Sequence, residues 1–296
     1  MHTLRMDDRR WAAEVHSLGM NIRGAIHDCG GAARTWQLRQ RGASNDEVVA
    51  AAMDGTIVRL RKGVYANDGG SEVAIAAAHG GMVSCVSSLR AHGVWLLDEV
   101  ANVHVDVGTN GRVHPHFRCD CVDHHERRQT VFGLASPTEA LQVAWRCLSV
   151  EAYFVAFESA WRLGLLSKSQ RHRVIAATPE RIARWLRRAR GDADSGLESL
   201  FRFRLMMMGL ELESQVLIPT VGRVDFRYGR VLFEIDGRSN HEGATERARD
   251  LIRDANAVTL GYLTIRLTYA MIVFRWPTVE ATVLAAIDDM AFIPAK

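Results

Sequence analysis

Asp225, Glu234 and Asp236 are the residues of this chain whose types and spacing can do chemistry. They lie in two strand-like runs, VGRVDFRY (221–228) and VLFEIDG (231–237), joined by a turn at Gly229–Arg230. Strand side chains alternate faces, so Glu234 and Asp236 share one face with Leu232, while Val231, Phe233 and Ile235 take the other. Asp225 comes from the adjoining run, between apolar Val224 and Phe226, where an unpaired buried carboxylate is costly. Three carboxylates on paired strands repel one another unless a charge neutralises them. A hard divalent cation with oxygen ligands, Mg2+ or Mn2+, does so. The spacing therefore predicts a metal-dependent phosphodiesterase site. The competing readings are a turn cap for Asp225 and a solvent-facing strand position for Glu234.

A chain of 296 residues is more naturally two or three domains than one, and a hydrophobic fraction of 48% is enough to build their cores. The formal charge of +3 is a weak argument for nucleic acid. Arginine far outnumbers lysine, and its rigid fork suits phosphate. MHTLRMDDRR carries charges where a secretory signal needs an apolar stretch, and no apolar run reaches the roughly 18 residues of a membrane span. Cysteines at 29, 85, 119, 121 and 147 form no even stapling framework, which predicts a reducing cytoplasm and buried free thiols at Cys29, Cys85 and Cys147.

Three segments position these residues. In the first, 1–70, short helical stretches lead to Gly42, and Ser44 with Glu47 forms a capping box opening a helix over Asn45–Met53. TIVRLRKGVYA follows as an alternating ribbon turned at Lys62–Gly63. Helix, tight turn, helix and basic ribbon is the order of a winged helix-turn-helix, with Arg59, Arg61 and Lys62 placed to reach phosphates. Proteins that never touch DNA also carry short helices beside a hairpin.

The second segment, 71–190, reads as an α/β module. Two short helices are broken at Gly80–Gly81, a strand follows over 102–108, and a helix from Pro137 runs to about Val150. A second helix spans about 151–163, and a third opens at Thr178-Pro179-Glu180 and runs to Arg190 with Arg181, Arg184, Arg187, Arg188 and Arg190 outward. Cys119, Cys121, His124 and His125, with His114 and His116 nearby, invite a zinc reading. They lack paired CxxC or HxxxH spacing, and ligands drawn from so few consecutive residues strain a tetrahedron. The expectation is a polar loop or exposed strand.

The third segment, 191–296, begins at GDADSG. Ser195 caps a helix with Glu198 at its third position. VLIP, VGRVDFRY and VLFEIDG follow, then a helix over about 244–257, a strand over 262–268 and a helix around 279–287. Strands this apolar predict a mixed sheet between helices, an α/β/α domain.

This order, with VDF in one strand and FEIDG in the next, resembles the PD-(D/E)xK restriction-endonuclease-like superfamily. More narrowly, it resembles the DUF559 domains related to very-short-patch-repair endonucleases. The matching positions are Glu198 and Ser199, Asp225, Glu234 with Asp236 and Gly237, His241, Asp250 with Arg253 and Asp254, and Gly261-Tyr262 through Arg266 and Thr268. RLRKGVYA (59–66) and SPTEAL (136–141) make the N-terminal half similar to the AbiEi-like antitoxin and transcriptional-regulator architecture. The superfamily's lysine is replaced here by Asp236, as in the narrower branch, which shifts proton transfer to His241 or to cation-activated water.

The resemblance implies a Mg2+- or Mn2+-dependent DNA endonuclease. Asp225, Glu234 and Asp236 would hold the metal, Glu198 would support them or only cap its helix, and Arg253 and Arg266 would contact phosphate or balance charge. Double-stranded DNA is then the partner, and a duplex break requires a homodimer, a partner protein or two events. The alternative is a non-catalytic DNA-binding regulator of the antitoxin type that keeps a nuclease-like scaffold.

Overall fold

The computed structural model describes residues 21–116, 119–126, 131–236 and 244–291, with side chains of the last stretch over 249–290. The chain is mixed α/β, with three small sheets among the described residues. It divides into two compact units, one of Met1–Ser88 with Val100–Ser136, the other of Leu89–Glu99 with Pro137–Lys296. The segment expected over 71–190 contributes to both.

The first unit opens with α1 (Ile22–Asp28), β1 (Ala32–Arg34), α2 (Thr35–Gln40), α3 (Asn45–Met53), β2 (Val58–Arg61) and β3 (Val64–Ala66). α3 starts where the capping box predicts. The Ser44 Oγ accepts from the Glu47 N–H at 3.2 Å, and the Glu47 carboxylate accepts from the Ser44 N–H at 2.7 Å. Gly63, at φ +73°, turns β2 into β3, and both β1 and β2 pair antiparallel with β3. Ile26, Leu38, Val48 and Ile57 close the core beneath. Ser44→Ala removes one of two reciprocal bonds at an exposed cap and should cost about 1 kcal/mol. A chemical-denaturation midpoint unchanged by that substitution would show the cap carries nothing.

The unit continues with α4 (Glu72–His79), β4 (Met82–Val83), the first turn of α5 (Cys85–Ala91), β5 (His104–Asp106) and β6 (Val122–His124). β4 pairs antiparallel and β6 parallel with β5. The break at Gly80–Gly81 has a steric cause. Gly80 sits at φ +126°, and a side chain on Gly81 would run into the Asp106 carbonyl. Only glycine lets β5 and the chain after it pass this close to the end of α4.

The second unit holds α6 (Pro137–Ala144), α7 (Val150–Arg162), α8 (Lys168–Ala177), α9 (Glu180–Leu186) and α10 (Gly196–Met207). It continues with β7 (Glu213–Ile218), β8 (Gly222–Tyr228), β9 (Val231–Asp236), α11 (Ala244–Thr259), β10 (Leu263–Thr268), α12 (Tyr269–Phe274) and α13 (Trp276–Ala291). Two expected helices end early. α6 stops at Ala144 because Ser149 caps α7, its Oγ accepting from Ala152 N at 3.2 Å. α9 stops at Leu186 because the Glu158 carboxylate takes the Arg190 N–H at 2.6 Å. Arg190 is therefore drawn inward, its guanidinium donating to Ser214 Oγ at 2.6 Å. Arg187 and Arg188 of the expected basic face are paired with Glu180 and Glu211.

The four strands run in the order β10-β9-β8-β7, antiparallel except for β9 with β10. Phe201 of α10 packs on Phe226 and Phe233 with Trp276 of α13, while Ala257 of α11 meets Val224 and Leu232. Leu232 and Phe233 are neighbours on β9, so helices cover both faces of the sheet. None of the five cysteines forms a disulfide. Cys85 is buried as expected, whereas Cys29 is half-buried and Cys147 lies exposed beyond the end of α6. No described helix is long and apolar enough to cross a membrane.

Candidate active site

β8 turns into β9 through Gly229, at φ +56°, and pairing runs from Tyr228 opposite Val231 to Phe226 opposite Phe233. Beyond that point the Asp225 carboxylate, rather than a main-chain carbonyl, accepts the Ile235 N–H, at 2.7 Å. Asp225 thus sits where the two strands part. Glu234 is next on β9, with Arg266 of β10 as its parallel partner. Arg253 of α11 gathers this end of the sheet. It donates to Glu234 Oε1 at 2.8 Å, to the Val221 carbonyl at 2.7 Å and to the Arg223 carbonyl at 2.9 Å. Arg266 is held by Asp254 at 2.9 Å.

Glu198 enters from the first turn of α10, where only 4% of it is exposed. It caps its own helix, accepting from Ser195 Oγ at 2.8 Å and Asp194 N at 3.0 Å. Gln215 Nε2 adds a third bond at 2.9 Å. Gln215 sits on β7 at φ +55°, a left-handed conformation that costs a non-glycine residue about 1–3 kcal/mol. Register skips it between Ser214 opposite Phe226 and Val216 opposite Val224, across from Asp225. Strain at this position supports the carboxylate end. No sequence signal marked Gln215, since a glutamine inside an alternating run looks like any solvent-facing strand residue.

The acids act as one electrostatic group. Burial, and after it the Asp225 charge, push the Glu198 carboxyl up to about 7. Burial also raises Asp225, opposed by the Ile235 N–H and reinforced by Asp236. Glu234 is raised by burial and by Asp225 and Asp236, against the lowering pull of Arg253. The donor set is all oxygen, the chemistry that Mg2+ or Mn2+ selects. Among the described residues, the groups of three or more ligating side chains whose donor atoms lie within 4.8 Å of one another consist of histidines and cysteines. The carboxylates of Asp225, Glu234 and Asp236 are not such a group. Glu234 is instead committed to Arg253. Of the residues singled out in the sequence, Arg253 and Arg266 lie beside Glu234, and Glu198, Asp225, Glu234 and Asp236 are near enough to feel one another's charge. His241 lies outside the described residues.

A pH dependence follows from Glu198. Its folded carboxyl titrates above the ordinary value of 4.5, so from about 4.5 to about 7 the folded state keeps a proton that the unfolded state has lost. Stability then falls as pH rises through that window, by at most about 1.4 kcal/mol per pH unit. Glu198→Gln should flatten the slope in urea titrations at pH 5 and pH 8. An identical slope in the variant would remove Glu198 as its source.

On β2, Arg59 is exposed, as is Lys62 in the turn. Arg61, expected beside them, is turned into the fold. Its Nε donates to the Ala77 carbonyl at 3.1 Å and its guanidinium lies 6.0 Å from the Phe132 ring centre. α3 carries no arginine or lysine and presents Asp46, Glu47, Val49 and Met53 outward. Comparison of the chain with protein-family models finds no match, and comparison with curated proteins finds none either.

Proposed function

We propose that the second unit is a Mg2+- or Mn2+-dependent deoxyribonuclease of the PD-(D/E)xK type, and that the first unit is a winged helix which delivers double-stranded DNA to it. The observation that carries this reading is the electrostatic coupling of four acids, Glu198, Asp225, Glu234 and Asp236, at the point where β8 leaves β9. The order α10-β7-β8-β9-α11-β10, with α10 and α11 on opposite faces of the sheet, supports it. The order α1-β1-α2-α3-β2-β3 supports the winged helix in the same way.

Asp225, Glu234 and Asp236 would hold the cation, and Glu198 would support them from α10. When bound, the cation neutralises charge on the phosphate and makes water more acidic. Arg253, anchored by two carbonyls, is positioned to trade Glu234 for a phosphate oxygen. His241 is proposed as the base. A specific observation favours a second reading, a DNA-binding regulator without turnover: Arg253 already neutralises Glu234, and the acids do not close into a ligand set. Purified protein incubated with plasmid and duplex oligonucleotides, with and without Mg2+ or Mn2+, separates the two. Metal-dependent cutting supports the nuclease, and sequence-specific binding without cutting under any metal supports the regulator.

Arg59 and Lys62 have a distinct expected effect. Replacing both with alanine should make the slope of log affinity against log salt shallower by about 2, roughly one per phosphate contact. Arg61→Ala should instead lower the melting temperature and leave the slope alone. Fluorescence anisotropy between about 50 and 200 mM salt reads both, and an unchanged slope in the double variant removes the ribbon from the DNA interface.

A further inference from the structure

The cysteine–histidine segment of the first unit does not stand alone as a loop. His79, the last residue of α4, points its Nδ1 at Cys119 Sγ, 3.0 Å away and forty residues distant in sequence. His116 Nε2 lies 4.0 Å from Cys121 Sγ, and the four donor atoms of His79, His116, Cys119 and Cys121 all lie within 4.8 Å of one another. Around a tetrahedral zinc with ordinary bond lengths, sulfur and nitrogen donors stand about 3.4–3.8 Å apart. Two thiols and two imidazoles are also the donor set that zinc selects over hard cations. The second nitrogen of His79, Nε2, donates to Asp123 Oδ1 at 2.6 Å. A carboxylate on the far nitrogen is what orients a ligating histidine and makes it a stronger donor. His79 is almost fully buried, so its ring is fixed in this direction.

We propose that His79, His116, Cys119 and Cys121 form a structural zinc site, with Asp123 as the residue that positions His79. The fold gives it a task. β5 and β6 have three residues each, and β6 begins immediately after Cys121. Such short strands hold few ladder bonds. A metal joining the end of α4 to the start of β6 fixes the connection between them, and the Gly80–Gly81 break lets His114 N reach the His79 carbonyl at 2.8 Å. Two of the histidines that the sequence sets beside these cysteines turn elsewhere. His124 stacks on His104 and His125 reaches the Gly108 carbonyl.

The test uses the full chain, purified without chelator after growth with added zinc. Metal analysis should find about one zinc per chain, the content of a closed four-ligand site. The Co2+-substituted protein should show thiolate charge-transfer absorption with tetrahedral band intensity. Cys119→Ser and Cys121→Ser should each lose the metal, whereas Cys29→Ser and Asp225→Asn should keep it, which separates this site from the carboxylates. If the cysteine variants fail to fold, Asp123→Asn decides: zinc affinity measured against a chromophoric chelator should fall about 10–100-fold with unchanged circular dichroism. Protein that neither retains zinc nor takes it up after stripping overturns the proposal. So does a zinc content indifferent to Cys119 and Cys121, or a Co2+ spectrum without thiolate bands.

Discussion

Asp225→Asn and Glu234→Gln are each expected to reduce metal-dependent plasmid cleavage about a thousandfold or more. Loss of a cation ligand removes several kcal/mol of transition-state stabilisation, and each 1.36 kcal/mol is about tenfold in rate. Both substitutions preserve shape. An asparagine at 225 still offers an oxygen to the Ile235 N–H that Asp225 now accepts, so the parting of β8 and β9 survives. Glu234→Gln leaves a partly buried side chain that still accepts from Arg253, so an ion-paired hydrogen bond becomes a neutral one at a cost of about 1 kcal/mol. Activity should therefore collapse in variants that are less folded than the parent by no more than a small margin. Asp225→Asn should also melt higher than the parent without metal, because burial and Asp236 disfavour the native carboxylate. Added Mn2+ should raise the parent's melting temperature and leave the variant's unchanged. Cleavage that persists in both variants would sink the nuclease reading and leave the regulator.

The acids were legible because a carboxylate between Val224 and Phe226, or between Phe233 and Ile235, breaks a pattern that burial otherwise enforces. The helix caps at Ser44 and Ser195 were legible for a related reason, since a hydroxyl followed at the third position by glutamate satisfies local bonds wherever the chain goes next. Helix ends set by distant partners were not. Glu158 ends α9 from thirty-two residues away, and nothing near Arg190 in sequence announces it. The same limit hid His79. Ligand spacing was judged among neighbours, but a metal set is assembled by whichever element passes closest, here the end of α4. Arg61 turns inward where Arg59 does not because the β2–β3 register shifts between them, an irregularity that alternation does not reveal, and the Ala77 carbonyl and Phe132 meet it there.

The largest stability effect belongs to a pair outside the candidate site. Glu158 of α7 and Arg202 of α10 are both buried, and the Arg202 guanidinium meets the same carboxylate oxygen that takes the Arg190 N–H. Removing one partner of such a pair strands a charge in the interior at about 3–5 kcal/mol. For a unit of this size that is roughly 2–4 °C of melting temperature per kcal/mol, so Arg202→Leu should lower the transition by roughly 6–20 °C. Glu158→Leu combined with Arg202→Leu should recover most of the loss, because no charge is left buried. It should fall short of the parent by the roughly 1–3 kcal/mol of an Arg190 N–H without its acceptor. The single variant has a pH signature. Burial already raises the Glu158 carboxyl, and losing Arg202 removes the main force holding it down. The folded variant therefore takes up a proton as pH falls, and its deficit should be smaller at pH 5 than at pH 8. A deficit equal at both, or a double variant no better than Arg202→Leu, would show that the stranded carboxylate is not what destabilises the protein.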